Sequence, residues 1–149
     1  MRGYNKLQQA NEETLVDGWV RTGDAGYLDP DGYLFLKDRI KDMVVSGGEN
    51  IYPVEVENAL AKHQAIADIA VIGVPDDKRG EALLAFVVLK KSASLTLDEM
   101  IEFSRDKLAG YKIPRQLEIV QELPRNPSGK ILKKTLRAPY WKDRERAIS

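Results

Sequence analysis

The sequence predicts an α+β fold in which a small sheet is covered by helices. Beyond residue 42, short apolar runs alternate with amphipathic segments in the order β-α-β-β-α-β-α, which is typical of such a layered fold. Hydrophobic residues make up 43% of the 149 positions, enough to bury a core. A turn signal between short strand-like runs lies ahead of this region, so a β-hairpin is expected to precede the sheet.

The N-terminal part of the chain supplies that hairpin. Residues 1–16 are polar without clear periodicity and are expected to form a surface segment. A short strand is expected at 19–21. Residues 29–32, Asp-Pro-Asp-Gly, are a strong turn signal, and residues 33–36 then form the second arm of the hairpin. The charged run at 37–42 is interpreted as an exposed connector.

The remaining elements follow from apolar runs and helix-end signals. Pro53 suits a first helical position, and Thr96 with Glu99 forms a capping box. Strands are expected at 43–45, 66–74, 82–89 and 116–120. Helices are expected at 54–62, from Thr96 to near Gly110, and at 131–136, the last of them after a loop at 124–129.

Composition excludes several classes of function. The 23 basic and 23 acidic residues balance without a block of like charge, which argues against nucleic-acid binding and against binding to anionic membranes. Cysteine is absent, which excludes a disulfide, a thiolate metal site and a cysteine nucleophile. The single histidine, His63, argues against a histidine metal site or a catalytic triad, and we expect it at the surface.

No run approaches the ~20 consecutive apolar residues of a transmembrane helix. The first residues also lack the apolar region and cleavage site of a signal peptide. A soluble, cytoplasmic protein is therefore expected.

Two polar segments near the hairpin carry candidate chemistry. Asp24 ends an Arg-Thr-Gly-Asp run, and a carboxylate beside a glycine can accept hydrogen bonds from a vicinal diol such as a ribose. A Thr-Gly-Asp turn is also common without any ligand. The charged connector is either a solvated face or a hinge, and Arg39 within it can reach a phosphate or a ribose.

Three later segments are open to two interpretations as well. Gly47 and Gly48 either let a ligand approach closely or form a plain tight turn. Lys112 and Arg115 flank a proline and are either an anion site or ordinary surface charge. Lys130 stands on a tip punctuated by proline and glycine, where it is either a solvated turn residue or a compact cation that swings toward a charged reaction centre. Neither glycine-containing segment has the pattern of a P-loop.

The order of these segments resembles one family. Thr22-Gly-Asp, the run at 38–42, the run at 46–57 and Leu123-Pro-Arg-Asn-Pro-Ser-Gly-Lys130 together resemble the C-terminal part of the adenylate-forming acyl-CoA synthetases. That superfamily includes firefly luciferase and the adenylation domains of nonribosomal peptide synthetases. The resemblance covers nearly the whole chain. It implies that residues 1–40 are the end of a large N-terminal domain and that residues 41–149 are a small, mobile C-terminal domain.

The resemblance also implies a role for each candidate residue. Asp24 would bind the ribose hydroxyls of ATP or AMP, and Arg39 would contact the same nucleotide. Lys41 matches the hinge position between the two domains. Lys130 would be the catalytic residue that completes the adenylation site. The residues that would hold CoA are Gly47 and Gly48, along the pantetheine tunnel, and Lys112 and Arg115, near the CoA phosphates.

The implied activity is that of an ATP-dependent acid–thiol ligase. It would activate a carboxylic acid, fatty or aryl, as acyl-AMP and transfer the acyl group to CoA, with Mg²⁺ in the full enzyme but no metal ligand identified in this chain. The phosphate loop and acyl pocket lie upstream in the family, so the chain is expected to be a fragment, inactive alone, whose partner is its own N-terminal domain. Two alternatives stay open: an adenylating domain that loads a carrier protein's pantetheine, and a non-catalytic nucleotide-binding module.

Overall fold

The computed structural model describes residues 3–142, 144 and 146. The chain divides into two compact units, residues 1–40 and residues 41–149. In the part of the chain that is described, no helix has the length and apolar character needed to cross a membrane. The cytoplasmic location remains a prediction from the sequence.

The first unit contains the expected hairpin. Strands β3 (Asp24–Leu28) and β4 (Leu34–Arg39) pair antiparallel. The turn between them is fixed by Asp29, whose side chain accepts the backbone N–H groups of Asp31 and Tyr33 at 3.0 and 2.8 Å. This confirms the turn signal, since an aspartate at the first turn position caps the backbone in this way.

Two features of the first unit differ from the expectation. The polar segment at 1–16 forms helix α1 (Gln8–Thr14) and strand β1 (Leu15–Val16). Strand β1 pairs antiparallel with β2 (Trp19–Val20), which is the short strand expected at 19–21. Strand β4 also extends into the charged connector, because Asp24 and Arg39 are cross-strand partners. The connector is therefore half strand, and only the 3-10 turn Ile40–Asp42 remains of it.

The second unit is built on a five-stranded sheet, which confirms the α+β prediction. Its strands lie in the order β6-β5-β8-β7, and the last strand pairs parallel with β8 on the side opposite β7. The strands are β5 (Val44–Ser46), β6 (Glu49–Ile51), β7 (Ile66–Asp76), β8 (Gly80–Leu89) and β9 (Gln116–Ile119). The helices are α2 (Pro53–Leu60), α3 (Leu97–Ser104) and α4 (Lys133–Arg137), followed by a 3-10 turn, Ala138–Trp141.

The sheet is buried on both faces. One face packs against α2 and α3, whose residues Val56, Leu60 and Met100 are each at most 1% exposed. The other face, with Ile72 and Phe86, is covered by Leu136 and Tyr140 from the C-terminal segment. Alternation along β7 and β8 sends neighbouring side chains to opposite faces, so both strands read as nearly continuous apolar runs. The central strands are consequently a rigid platform for the loops at their ends.

Several sequence-based boundaries were wrong. Strand β6 was missed because it is only three residues long and half polar. Strand β7 continues through Pro75, which is tolerated because β7 is at the sheet edge. Helix α3 starts with the expected capping box but ends at Ser104, where the N–H groups of two later residues share the Ser104 carbonyl. His63 is half-buried against the Phe103 ring, with ring centroids 4.7 Å apart, instead of free at the surface.

Candidate functional site

Asp24 and Arg39 come together at the open end of the β3–β4 hairpin. Arg39 Nε lies 3.2 Å from Asp24 Oδ1. The backbone N–H of Asp24 donates to the Thr22 hydroxyl oxygen at 3.2 Å, which turns the Thr-Gly-Asp segment back on itself. About half of the Arg39 side chain is exposed, so its remaining N–H groups face solvent. The two predicted nucleotide-binding residues therefore form one polar cluster.

Lys130 is exposed and closes a compact loop. Asn126 organises this loop, because its Oδ1 accepts the N–H of Ser128 at 3.1 Å, the Ser128 hydroxyl at 2.8 Å and the N–H of Lys130 at 2.9 Å. Gly129 has a φ of +84°, a left-handed conformation that glycine adopts without strain. The lysine thus sits on a rigid turn rather than on a flexible tip.

A second set of contacts ties this loop to the sheet. Arg125 and Ile131 form an isolated antiparallel bridge at the base of the loop. The Arg125 guanidinium donates to the Gly129 carbonyl at 2.5 Å and to Asp68 Oδ2 on β7, also at 2.5 Å. Sequence analysis did not identify Arg125 or Asp68 as site residues. Arg125 belongs to the motif that ends at Lys130, but nothing in the sequence around Asp68 indicates a role in the site.

Gly47 and Gly48 form the two-residue turn between β5 and β6. Their φ values are +61° and +87°, so both residues adopt the left-handed conformation that such hairpin turns require. A Cβ atom added at either glycine would meet no atom within 4 Å. The turn alone accounts for glycine here, and the space beside it is open to a ligand.

Lys112 and Arg115 have different surroundings. Lys112 Nζ lies 2.6 Å from Glu55 Oε1 on α2, and only 19% of the lysine side chain is exposed. Arg115 is exposed, and its backbone N–H donates to the Leu83 carbonyl on β8. The hydrogen bonds that Asp76 accepts from the backbone of Arg79 and Lys78 lower the pKa of Asp76, and the positive charge of Arg115 adds a smaller effect in the same direction. The charge of Lys112 is therefore already balanced by Glu55, whereas a lysine of a phosphate-binding site would be expected to lack such a partner.

Lys41 is held by its backbone. Its carbonyl accepts hydrogen bonds from Arg137 at 2.9 Å and from Arg146 at 2.7 Å. Arg137 also pairs with Asp42 at 2.5 Å. Lys41 is exposed, as expected for the connector, whereas Asp42 is partly buried. Both residues also accept hydrogen bonds from distant arginines, which the local sequence does not reveal.

Possible metal ligands were sought among the described side chains. Within residues 3–142, 144 and 146, no group of three or more histidine, aspartate or glutamate side chains is arranged to hold a metal ion. Glu81 is a buried acid, 3% exposed, and pairs with Arg146 at 3.0 Å. Burial raises the pKa of Glu81 against the opposing effect of this arginine. We interpret Glu81 as a structural residue.

The sequence match to known proteins decides the family. Residues 55–130, just over half of the chain, match the family described as AMP-binding enzyme C-terminal domain. The chain belongs to this family. Lys130 is the last matched residue, and the Gly47–Gly48 turn lies just ahead of the matched range.

Curated relatives of this AMP-binding enzyme C-terminal domain are ligases. The chain is 45% identical over 146 residues to a fatty acid–[acyl-carrier-protein] ligase, ScoC, from Streptomyces coeruleorubidus, covering 98% of this chain and 28% of ScoC. It is 48% identical over 136 residues to a long-chain-fatty-acid–CoA ligase from Bacillus subtilis, covering 91% of this chain and 24% of that protein. The chain thus spans about a quarter of the length of these relatives.

The fold matches solved structures of the same kind. A structure of o-succinylbenzoate CoA synthetase from Bacillus subtilis, in complex with its acyl-adenylate intermediate, aligns with a TM-score of 0.85 and 41% identity. The alignment covers 98% of this chain and 29% of the synthetase. The small sheet with its helices is therefore the fold of the C-terminal domain in adenylate-forming enzymes.

Proposed function

We propose that this chain is the C-terminal part of an ATP-dependent ligase that activates a carboxylic acid as acyl-AMP and then transfers the acyl group to the thiol of CoA. The observation that carries this proposal is the 48% identity to the long-chain-fatty-acid–CoA ligase over 91% of the chain. The acid is of the fatty or aryl class, in keeping with the names of these relatives and of the synthetase. We propose that the enzyme acts in the cytoplasm.

The exposed surface of the first unit supports a large domain as its partner. The β3–β4 hairpin presents four large apolar side chains to solvent, each 64–69% exposed: Leu28, Tyr33, Leu34 and Leu36. A two-stranded hairpin that buries neither face is marginally stable alone, and an apolar surface of this kind marks an interface. We propose that an N-terminal domain of the same protein covers it, that residues 1–40 belong to that domain, and that residues 41–149 move as a separate one.

In the first half-reaction, the acid's carboxylate attacks the α-phosphate of ATP and displaces pyrophosphate. Two anionic groups must approach each other, so a cation between them stabilises the transition state. The Lys130 ammonium is suited to this role because it is exposed on a rigid loop. Asp24 would accept the ribose hydroxyls, and Arg39 would hold both this carboxylate and the nucleotide. Magnesium would accompany the ATP phosphates, with no ligand proposed on this chain.

In the second half-reaction, the thiol of CoA attacks the acyl-adenylate carbonyl and AMP leaves. Rotation of the C-terminal domain about Lys41 would withdraw Lys130 and bring the Gly47–Gly48 turn to the entrance used by the pantetheine arm. The open space beside both glycines supports this role. Arg115 is the stronger candidate for a CoA phosphate, since Lys112 would first have to leave or share Glu55.

A carrier protein is the second candidate acceptor. It is favoured by ScoC, whose name gives an acyl-carrier protein as the acceptor and which is 45% identical to this chain. CoA and a carrier protein present the same pantetheine thiol, so the glycine turn would serve either. A basic surface residue such as Arg115 would matter for free CoA, whose nucleotide phosphates a carrier protein lacks.

A chimera tests the proposal directly. These 149 residues would replace the corresponding stretch of the Bacillus subtilis o-succinylbenzoate CoA synthetase, whose acid and adenylate are known. We expect the chimera to make o-succinylbenzoyl-AMP from ATP and then the CoA thioester. The synthetase truncated before this stretch should make neither product efficiently. A folded chimera that forms no adenylate, by pyrophosphate release, would overturn the proposal. Formation of the adenylate without transfer to CoA would favour the carrier-protein alternative.

A further inference from the structure

We propose that Asp68, a residue of strand β7, positions Lys130 for adenylate formation by holding Arg125 against the lysine loop. This inference rests on the proposed function of Lys130. Asp68 contacts neither substrate in this proposal; it acts through Arg125 and is a positioning residue.

The peptide group between Gly129 and Lys130 is hydrogen-bonded at both ends. Its N–H donates to Asn126 Oδ1 at 2.9 Å, and its carbonyl accepts from the Arg125 guanidinium at 2.5 Å. Both polar ends of one peptide group are therefore fixed. Because this group immediately precedes the Lys130 Cα, its orientation sets the direction in which the lysine side chain leaves the loop.

Asn126 and Arg125 have different effects on this peptide. Asn126 belongs to the loop, so its hydrogen bonds define the loop's shape but not its placement against the sheet. Arg125 links the loop to strand β7, because its Nη2 lies 2.5 Å from Asp68 Oδ2 while its Nη1 donates to the Gly129 carbonyl. Asp68 sits at the start of a strand whose following residues are buried on both faces. The carboxylate thus connects the loop to the most rigid part of the unit.

Stability alone does not explain this pair well. The side chains of Arg125 and Asp68 are 43% and 35% exposed, and ion pairs this exposed add little to the stability of a fold. Orientation is a different matter, since a displacement of about 1 Å in a catalytic group can cost up to roughly 100-fold in rate. The pair is accordingly expected to affect the reaction more than the folding.

The test uses the chimera and follows each half-reaction separately. The first is measured by single-turnover formation of o-succinylbenzoyl-AMP, and the second by thioester formation from supplied o-succinylbenzoyl-AMP and CoA. We expect Asp68→Asn to slow the first roughly 10-fold and leave the second unchanged. Asp68→Glu, which keeps the carboxylate, should recover most of the rate. Arg125→Gln should resemble Asp68→Asn, and the double variant should be no slower than Arg125→Gln alone.

The matched control is Asp77→Asn, which removes a carboxylate from the Arg144–Asp77 pair just beyond the other end of β7. It should leave both half-reactions unchanged. If Lys130→Ala slows adenylation but Asp68→Asn does not, this inference is wrong and the proposed function stands. If Asp68→Asn slows both steps equally and lowers Tm, the residue is structural and the inference is also wrong. If Lys130→Ala itself leaves adenylation intact, the proposed function fails first.

Discussion

Asp24 and Arg39 face each other across β3 and β4, with Arg39 Nε 3.2 Å from Asp24 Oδ1. They are cross-strand partners although fourteen residues separate them in the sequence. The ion pair orients the carboxylate, and 29% of the Asp24 side chain remains exposed. A carboxylate prepared in this way is suited to a diol that approaches from solvent.

The first prediction concerns this carboxylate. If Asp24 binds the ribose hydroxyls, the enzyme should prefer ATP to 2′-deoxy-ATP, and Asp24→Ala should remove that preference. A hydrogen bond to a charged group contributes about 1.5–3 kcal/mol, so we expect KM for ATP to rise about 10-fold or more in Asp24→Ala. KM for 2′-deoxy-ATP should rise much less. Equal increases for both nucleotides would assign Asp24 a structural role.

The second prediction concerns Lys130. Lys130→Ala in the chimera should reduce adenylate formation by roughly 100-fold or more, because it removes a cation from a site where negative charge develops. Thioester formation from supplied acyl-AMP should be spared, since the lysine is withdrawn in that step. Lys134→Ala, a nearby exposed lysine on α4, is the control and should change neither rate. Loss of both half-reactions in Lys130→Ala would contradict the assigned role.

The third prediction concerns the hinge. Lys41→Pro fixes φ near −65° and should restrict rotation about this residue. We therefore expect adenylation to be largely retained while thioester formation falls. Lys41→Ala removes the side chain without restricting φ, so both half-reactions should proceed. A proline variant that transfers the acyl group at the normal rate would show that the domain turns elsewhere.

The fourth prediction concerns the glycine turn. Gly48→Leu should block the thiol-transfer step, but a leucine at a φ of +87° also strains the turn. Gly18 provides a matched control because it is the second residue of the β1–β2 turn, has a φ of +82° and likewise has open space around an added Cβ. Gly18→Leu should reproduce the strain without blocking thioester formation. Equal effects of the two variants on the second half-reaction would remove the tunnel assignment.

The isolated 149-residue chain offers a check on the non-catalytic alternative. A nucleotide-binding module should bind ATP or CoA by itself, whereas a lid domain should bind both weakly because the rest of the site is missing. Calorimetric titration of the chain with each ligand distinguishes these cases. Binding as tight as that of the complete chimera would favour the module.

Most helices and strands of the second unit, and the order of the motifs along the chain, were predictable from the sequence. Apolar runs predicted β7 and β8, and Thr96 with Glu99 predicted the start of α3, because burial and helix capping depend on side chains close together in the chain. Short polar elements such as α1 and β6 carried too little pattern to be identified.

The hydrogen-bond and ion-pair partners of the polar side chains could be identified from the three-dimensional structure but not from the sequence. Three polar contacts join residues that are more than fifty positions apart in the sequence. They are the hydrogen bonds of Arg125 to Asp68, of Lys112 to Glu55, and of Arg137 to the carbonyl of Lys41. Such contacts depend on strand register and on how the helices are placed over the sheet. Local periodicity predicts which face of a helix or strand a residue occupies. The distant residue that its side chain contacts depends on how the whole unit packs.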